Sequence, residues 1–523
     1  MSIESWMPAG RAHKTPPASS GSVEPLTLAP RSRFGFTSRF LAGGVAILVC
    51  ATVAVGTFTV GTIDTIAADL ALGGKPISSR ELRAAADGSP QTILVIGDDH
   101  SGSDTSQATG TIDQGTGVPL LHADTFMLVR MDPRQGQTSI LSVPRDLMIS
   151  FSDEGNYYPD VKFNEAYAVG GVDEVLKMIK EYLPGVAVNH VIDFNFSSFI
   201  GVIRAIGCVY IDVDQRYYNP YGSGDGYLAI NLQPGYHRLC GERALAYVRY
   251  RHTDSDFVRV ARQADFIRQA KEQLGVLGLL SKYNQIASAF GKAIRTDIRG
   301  SQEVQQLLEL AAYSLSAPVR HVDFQTNDDN YFVNGEDEVT STPQLIQQSV
   351  DDFLYENPRA SLPAVTRRGR HHHHHAINAA ALNLYPASGI TSDAEAMSVN
   401  VPFRVYVPSF ETGNAIPMDF HPFKVDDEQG HVHHGYRIDW SVNGDGGYYG
   451  IEGLDWSDPP LFANPTGTET INGRGYMFVD NGAAIQYLGW HQGRVLYWVS
   501  NTLLDNLTNK QMLAIAESVR AIR

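Results

Sequence analysis

Four arginines and a glutamine crowd into the stretch from Arg249 to Gln263, which reads Arg-Tyr-Arg-His-Thr-Asp-Ser-Asp-Phe-Val-Arg-Val-Ala-Arg-Gln. Arg249 and Arg251 lie two apart at the end of Leu245–Tyr250, whose apolar texture predicts a strand. Period-two geometry would turn both side chains to one face. Thr253, Asp254 and Ser255 then offer N-cap oxygens for a helix. On that helix Phe257, Val260, Ala264 and Ile267 form an apolar stripe, while Arg259, Arg262 and Gln263 fall at i, i+3 and i+4 on another face. A strand end and a helix start thus aim four guanidinium groups at one place. Such groups repel one another unless an anion sits among them, and the guanidinium fork matches phosphate oxygens bidentately. A lattice of pairs with Asp254, Asp256 and Asp265 satisfies the same pattern without a ligand.

The elements that must position these arginines alternate. Thr92–Ile96 reads as a buried strand ending in Gly97-Asp98-Asp99-His100, followed by a polar loop over Ser101–Gly117. Thr125–Met131 and Thr138–Val143 are further strands. Val172, Val175, Leu176, Ile179 and Leu183 carry helical periodicity. A strand at Val191–Phe194, a helix at Phe199–Ile206 and a strand at Val209–Val213 follow. The alternation runs to about Ala317 and predicts an α/β fold with helices on both faces of the sheet. Charged residues recur at the strand ends: Asp99 after the first, Asp124 before the second, Arg145 and Asp146 after the third, and Lys162 in the next turn. Sites in open α/β sheets form beyond the strand C-termini. Carboxylates there suit a hard cation and guanidinium groups suit phosphate oxygens. No Walker loop and no GxGxxG turn follows any of these strands, so nucleotide chemistry has no support.

The 523 residues accommodate more than one domain. Phe40 to Ile63 contains 24 residues and no charged side chain, enough to span a bilayer. Five basic and two acidic residues precede it, which predicts a cytoplasmic N-terminus and an extracytoplasmic bulk at the plasma membrane. The whole chain carries −16, so the part after the tail carries −19, which argues against nucleic acid as a partner. Cys208 and Cys240 fall on the oxidising side, where they would close a 33-residue loop. The chain divides into a tail (1–39), the span (40–63), a connector (64–89), the main α/β domain (90–320), a linker with the tract His371–His375 (354–389) and a small, Trp-rich α+β domain (395–523). Phe403–Val407, Tyr436–Trp440, Gly475–Val479, Ala484–Leu488 and Val495–Val499 are its predicted strands, and Thr508 with Gln511 opens a terminal helix.

Six motifs, in order, resemble the LytR–CpsA–Psr family of cell-envelope proteins. They are Ile93–Asp99, the run Ala123-Asp124-Thr125-Phe126-Met127-Leu128, Ser142-Val143-Pro144-Arg145-Asp146, Lys162-Phe163-Asn164-Glu165-Ala166-Tyr167, Leu232-Gln233-Pro234-Gly235, and Ala244 through Asp256. The resemblance implies an α/β/α sandwich with an apolar tunnel for lipid. It also implies transfer of a glycopolymer from a polyprenyl-pyrophosphate carrier to peptidoglycan. Carried over by motif, Asp99 and Asp124 hold Mg²⁺. Arg145, Arg249, Arg251, Arg259 and Arg262 clamp the pyrophosphate with Gln263 and Lys162 in support, and Asp254 or Asp146 takes a proton. This sequence departs from the family pattern at His122, before Asp124, and after Asp99, where His100 and Ser101 stand in place of an arginine. Those departures keep two other readings open: a non-catalytic polyprenyl-phosphate-binding or regulatory protein, and a lipid pyrophosphatase.

Overall fold

The computed structural model describes residues 77–98 except 87, 123–220, 228–250, 257–270, 294–300, 319–327, 331–333, 336–355, 361–363, 378–442 and 447–522, with a few isolated positions besides. The predicted span 40–63, the tail, the loop 101–117, the His tract and the site residues Asp99, Arg251 and Asp254 lie outside the described residues. Among the described residues no helix is long and apolar enough to cross a membrane.

Six strands form a mixed sheet: β1 (Gln91–Asp98), β2 (Ala123–Asp132), β3 (Gln137–Val143), β6 (His190–Asn195), β11 (Ile294–Thr296) and β12 (Val319–Val322), in the order β11-β6-β1-β2-β3-β12. Every residue of β1 is buried, which is why its sequence is a continuous apolar run rather than an alternation. Leu94, Ile96, Phe126, Leu128, Leu141 and Val143 pack with Phe163, Val175 and Ile179 of α1 (Phe163–Tyr182) and with Ile346 and Val350 of Pro343–Tyr355. Ile93, Val95, Met127, Val129 and Ile140 turn the other way. They meet Val202 and Ile203 of α2 (Phe196–Ile206), Ala244–Val248 of α3 (Gly241–Arg249) and Phe266 of α4 (residues 257–270). The three-layer α/β/α arrangement is the one expected. Because β2 runs antiparallel to both β1 and β3, its first residues stand at the C-terminal ends of those two strands, with Ala123 opposite Asp98 and Phe126 opposite Val143.

One expected strand is a helix. Leu245–Tyr250 belongs to α3, capped at its start by the extended Cys240 and at its end by Tyr250. An apolar run this short carries no decisive period, and Ala and Leu favour helix once the run is buried from Ala244 to Val248. Arg249 therefore ends a helix and does not lie on a strand. Cys208 and Cys240 are disulfide-bonded, tying the entry of β7 (Val209–Val213) to the start of α3.

The C-terminal region holds a seven-stranded antiparallel sheet whose strands include Ala415–Asp426, Val432–Val442 and Val495–Ser500, followed by the helix Asn509–Glu517 with the Thr508–Gln511 capping box in place. It shares its packing with the α/β/α layers. Tyr210 of β7 and Tyr236 of β10 (Gly235–Leu239) join Phe423, Leu461, Leu496 and Trp498 in one cluster. Gly235 has φ +114°, and a Cβ there would sit 2.4 Å from the Phe423 ring, so this motif glycine admits the neighbouring sheet. The fully buried Arg437 pairs with Asp212 of β7 at 2.7 Å and with Asp439 and Glu452 of its own sheet. Val258 and Ala261 pack on Leu503, so α4 is enclosed on more than the single stripe its sequence displays.

Candidate active site

The site is built where β1, β2 and β3 end together. Asp124 is the second residue of β2, and Thr125 lies close against Gly97 of β1, where a Cβ would sit 3.2 Å from the Thr125 Cβ. The turn after β3 carries Arg145, whose Nη1 donates to Asp124 Oδ1. The last residue of α3 is Arg249, whose Nη2 donates to Asp124 Oδ2 at 3.3 Å. From α4, Arg259 donates to the Asp124 backbone carbonyl at 3.1 Å. Three cations from three separate elements therefore meet at one residue. Burial pushes the Asp124 carboxyl up, but the charges of Arg145, Arg259 and Arg249 outweigh it and hold the group well below the usual carboxylate range.

Asp146 lies just behind, buried, with Arg145 Nε at 3.4 Å and Lys162 Nζ at 3.5 Å. Lys162 is placed by the end of β5 (Asn156–Lys162) as it enters α1. Among the described residues Arg145, Arg249, Arg259 and Lys162 gather with Asp124 and Asp146, and guanidinium groups so placed suit a multiply charged phosphate group. Gln263 accepts from Thr125 Oγ1 at 3.4 Å and donates to the Val248 carbonyl at 3.1 Å, so it braces the site rather than lining it.

Arg262 departs from expectation. It is fully buried, its Nη1 donates to the Tyr250 and Tyr247 carbonyls, and its guanidinium lies among the rings of Tyr217, Tyr247 and Tyr250. On a helix buried on several sides, a spacing of three separates Arg259, which reaches Asp124, from Arg262, which turns away.

The LytR_cpsA_psr family pattern matches residues 64–353, more than half of the chain. The chain belongs to this family. Among curated relatives of this family member, Biofilm regulatory protein A of Streptococcus mutans serotype c is 27% identical over 279 residues, which cover 51% of this chain and 63% of that protein. The polyisoprenyl-teichoic acid–peptidoglycan teichoic acid transferase TagT of Bacillus subtilis is 28% identical over 264 residues, covering 50% and 77%. TagU of Enterococcus faecalis is 28% identical over 211 residues, covering 40% and 62%, so the shared part spans under two thirds of two of these three relatives. Among solved structures, TagV of B. subtilis is 21% identical, with 52% of this chain and all of that chain covered at a TM-score of 0.39.

Sequence reasoning passed over a second charged cluster in this family member. The Tyr167 hydroxyl lies 3.1 Å from Asp193 Oδ2 and 3.4 Å from Asp98 Oδ2, and Arg295 donates to both Tyr167 and Asp193. Burial raises the Asp193 carboxyl against the pull of Arg295. Tyr167 closes one of the six motifs, which was the available signal. Its partners come from distant strands, and Asp193 and Arg295 meet through the β6–β11 register.

Proposed function

We propose that this protein is a membrane-anchored, extracytoplasmic phosphotransferase that moves a glycopolymer from a polyprenyl-pyrophosphate carrier onto peptidoglycan. The observation that carries the reading is the convergence of Arg145, Arg249 and Arg259 on an ionised Asp124 at the end of the sheet. It occurs in a family with curated members named teichoic acid transferases. In this reading Arg145, Arg249 and Arg251 clamp the pyrophosphate, with Arg259 and Lys162 adding charge and Gln263 bracing the helix end. A sugar hydroxyl of peptidoglycan attacks the sugar-linked phosphorus, the bond to the bridging oxygen breaks, and polyprenyl phosphate leaves with that oxygen. The hydroxyl proton passes to Asp254, because Asp146 is buried and engaged by Arg145 and Lys162. Positioning and charge neutralisation supply most of the catalysis in such transfers.

Mg²⁺ is the cation this reading proposes. Asp124 presents hard carboxylate oxygens inside the arginine cluster, and Mg²⁺ is commonly held by one or two carboxylates together with substrate phosphates. Asp124 and Asp99 would hold it, and it would neutralise charge on the phosphate oxygens. In this reading the uncharged segment Phe40–Ile63 anchors the chain, with its N-terminus in the cytoplasm. Mass spectrometry of full-length protein given a lipid-linked sugar pyrophosphate, Mg²⁺ and peptidoglycan tests the reading. Glycan ligated to peptidoglycan is expected. Released sugar phosphate would make it a pyrophosphatase, and no turnover would leave a binding or regulatory protein.

A further inference from the structure

The buried Arg262 bridges the end of the helix that delivers Arg249 and Tyr217 of the separate strand Tyr217–Asn219. Its Nη1 donates to the Tyr250 carbonyl at 2.7 Å and the Tyr247 carbonyl at 3.4 Å, and its Nε to the Tyr217 hydroxyl at 3.1 Å. Its Cζ lies 4.4 Å from the centre of the Tyr217 ring, 5.6 Å from Tyr247 and 5.8 Å from Tyr250. The rings brace one another edge to face, Tyr217 with Tyr247 at 5.3 Å and with Tyr250 at 4.9 Å.

The two carbonyls belong to the last turn of α3 and to its cap, on either side of Arg249. A helix leaves its final carbonyls without intrahelical donors, and its dipole concentrates negative charge there. A guanidinium answers both needs. The neighbouring Gln263 takes the intervening carbonyl, that of Val248, and Thr125 beside Asp124. Beneath the cage the Tyr217 hydroxyl donates to the buried Asp214, two residues beyond the Asp212 that pairs with Arg437 of the C-terminal sheet. The end of α3 is thus held from below by a chain of contacts leading into the second sheet.

We propose that Arg262 is a positioning residue, a buried aromatic-caged cap that fixes the end of α3 and so the direction in which Arg249 meets Asp124 and a bound pyrophosphate. Its effect on the ligand rests on the transferase reading above; its effect on the helix end does not. Substituting alanine leaves a guanidinium-sized space walled by three rings, which free guanidinium can refill through the same cation–π contacts.

The test uses the full-length chain as wild type, Arg262→Ala, Arg262→Lys and Arg249→Ala, with and without low-millimolar guanidinium. Amide exchange at Val248–Tyr250 is measured by mass spectrometry, and inorganic pyrophosphate binding by calorimetry. In Arg262→Ala, exchange at the helix end is expected to accelerate, and pyrophosphate affinity to fall roughly tenfold, as for one misaligned charge-assisted contact. Guanidinium restores both, and Arg262→Lys falls between. Wild-type exchange and affinity in Arg262→Ala overturn the proposal. So does weakened affinity with unchanged exchange, which makes Arg262 a direct ligand. A loss that neither guanidinium nor lysine repairs, with exchange raised throughout the chain, reduces the residue to a fold element and also overturns it. If wild type and Arg249→Ala bind pyrophosphate equally, the transferase reading fails, while exchange at the helix end still decides the role of Arg262.

Discussion

Asp124→Asn should separate charge from shape at the centre of the site. The amide has the volume of the carboxylate, but it turns an N–H₂ toward one of two guanidinium groups and leaves Arg145, Arg249 and Arg259 without their shared anion. A unit charge pair at 4 Å and an effective dielectric near 20 is worth about 4 kcal/mol. Arg145 and Asp124 are 18% and 19% exposed, so solvent trims that figure. Breaking a buried pair from one side costs about 3–5 kcal/mol, and the lower end applies here. We expect Asp124→Asn to lower the melting temperature by about 3–6 °C. Asp124 also repels any phosphate that enters the arginine cluster. Removing this like charge from among the same arginines should strengthen metal-free binding of inorganic pyrophosphate by roughly ten- to hundred-fold. With Mg²⁺ present the advantage should vanish and turnover should be lost, since the proposed metal ligand is gone. Calorimetry with and without Mg²⁺, paired with thermal melts, reads all three effects. Weaker metal-free pyrophosphate binding in Asp124→Asn, or an unchanged melting temperature, would refute the argument that this carboxylate and the ligand compete for the same arginines.

Further expectations follow from the same geometry. Arg249→Ala should cost about 1.5–3 kcal/mol of pyrophosphate binding, roughly ten- to hundred-fold in affinity by calorimetry. Reducing Cys208–Cys240, separated by 32 residues, should lower stability by about 3–4 kcal/mol in denaturant melts, because the loop is released only in the unfolded chain. Phe423→Ala should cost about 3–5 kcal/mol, and by emptying the contact with Tyr210 and Tyr236 it should also loosen the union of the two sheets, visible as two separate thermal transitions. Burial pushes the Asp505 carboxyl up to about 7 against a hydrogen bond from Asn481. The folded state then holds this proton more tightly than the unfolded chain, so the contribution is fully present below about pH 4 and is lost as pH rises through 7. Asp505→Asn should therefore flatten the stability profile between those limits relative to wild type, and parallel profiles would remove Asp505 as a cause.

The membership of this chain in its family, the strands β1 to β3, the disulfide pair and the terminal capping box were all legible in the sequence. Most of these rest on information that lies within a few residues; the disulfide rests on residue type and compartment instead. A buried strand needs an unbroken apolar run, a capping box needs Thr508 and Gln511 three apart, and a motif keeps its spacing. Arg145, Arg249 and Asp124 could be named as candidates for the same reason. Their meeting could not be read locally, because it depends on β2 running antiparallel between β1 and β3, which brings the start of one strand to the ends of two others. Leu245–Tyr250 shows the limit most clearly. Five apolar or aromatic residues and Arg249 fit a strand or a helix equally well, and only burial against the sheet and α2 decided for the helix. The same limit separated Arg259 from Arg262, one turn apart and identical in chemistry, because the tyrosines that enclose Arg262 come from Tyr217, Tyr247 and Tyr250, on segments that helix periodicity does not see. Periodicity and motif determined which residue types this protein commits to phosphate chemistry. Tertiary packing alone decided which of them share a charge centre and which are spent holding it in place, since electrostatic strength falls with distance and distance is set by the fold.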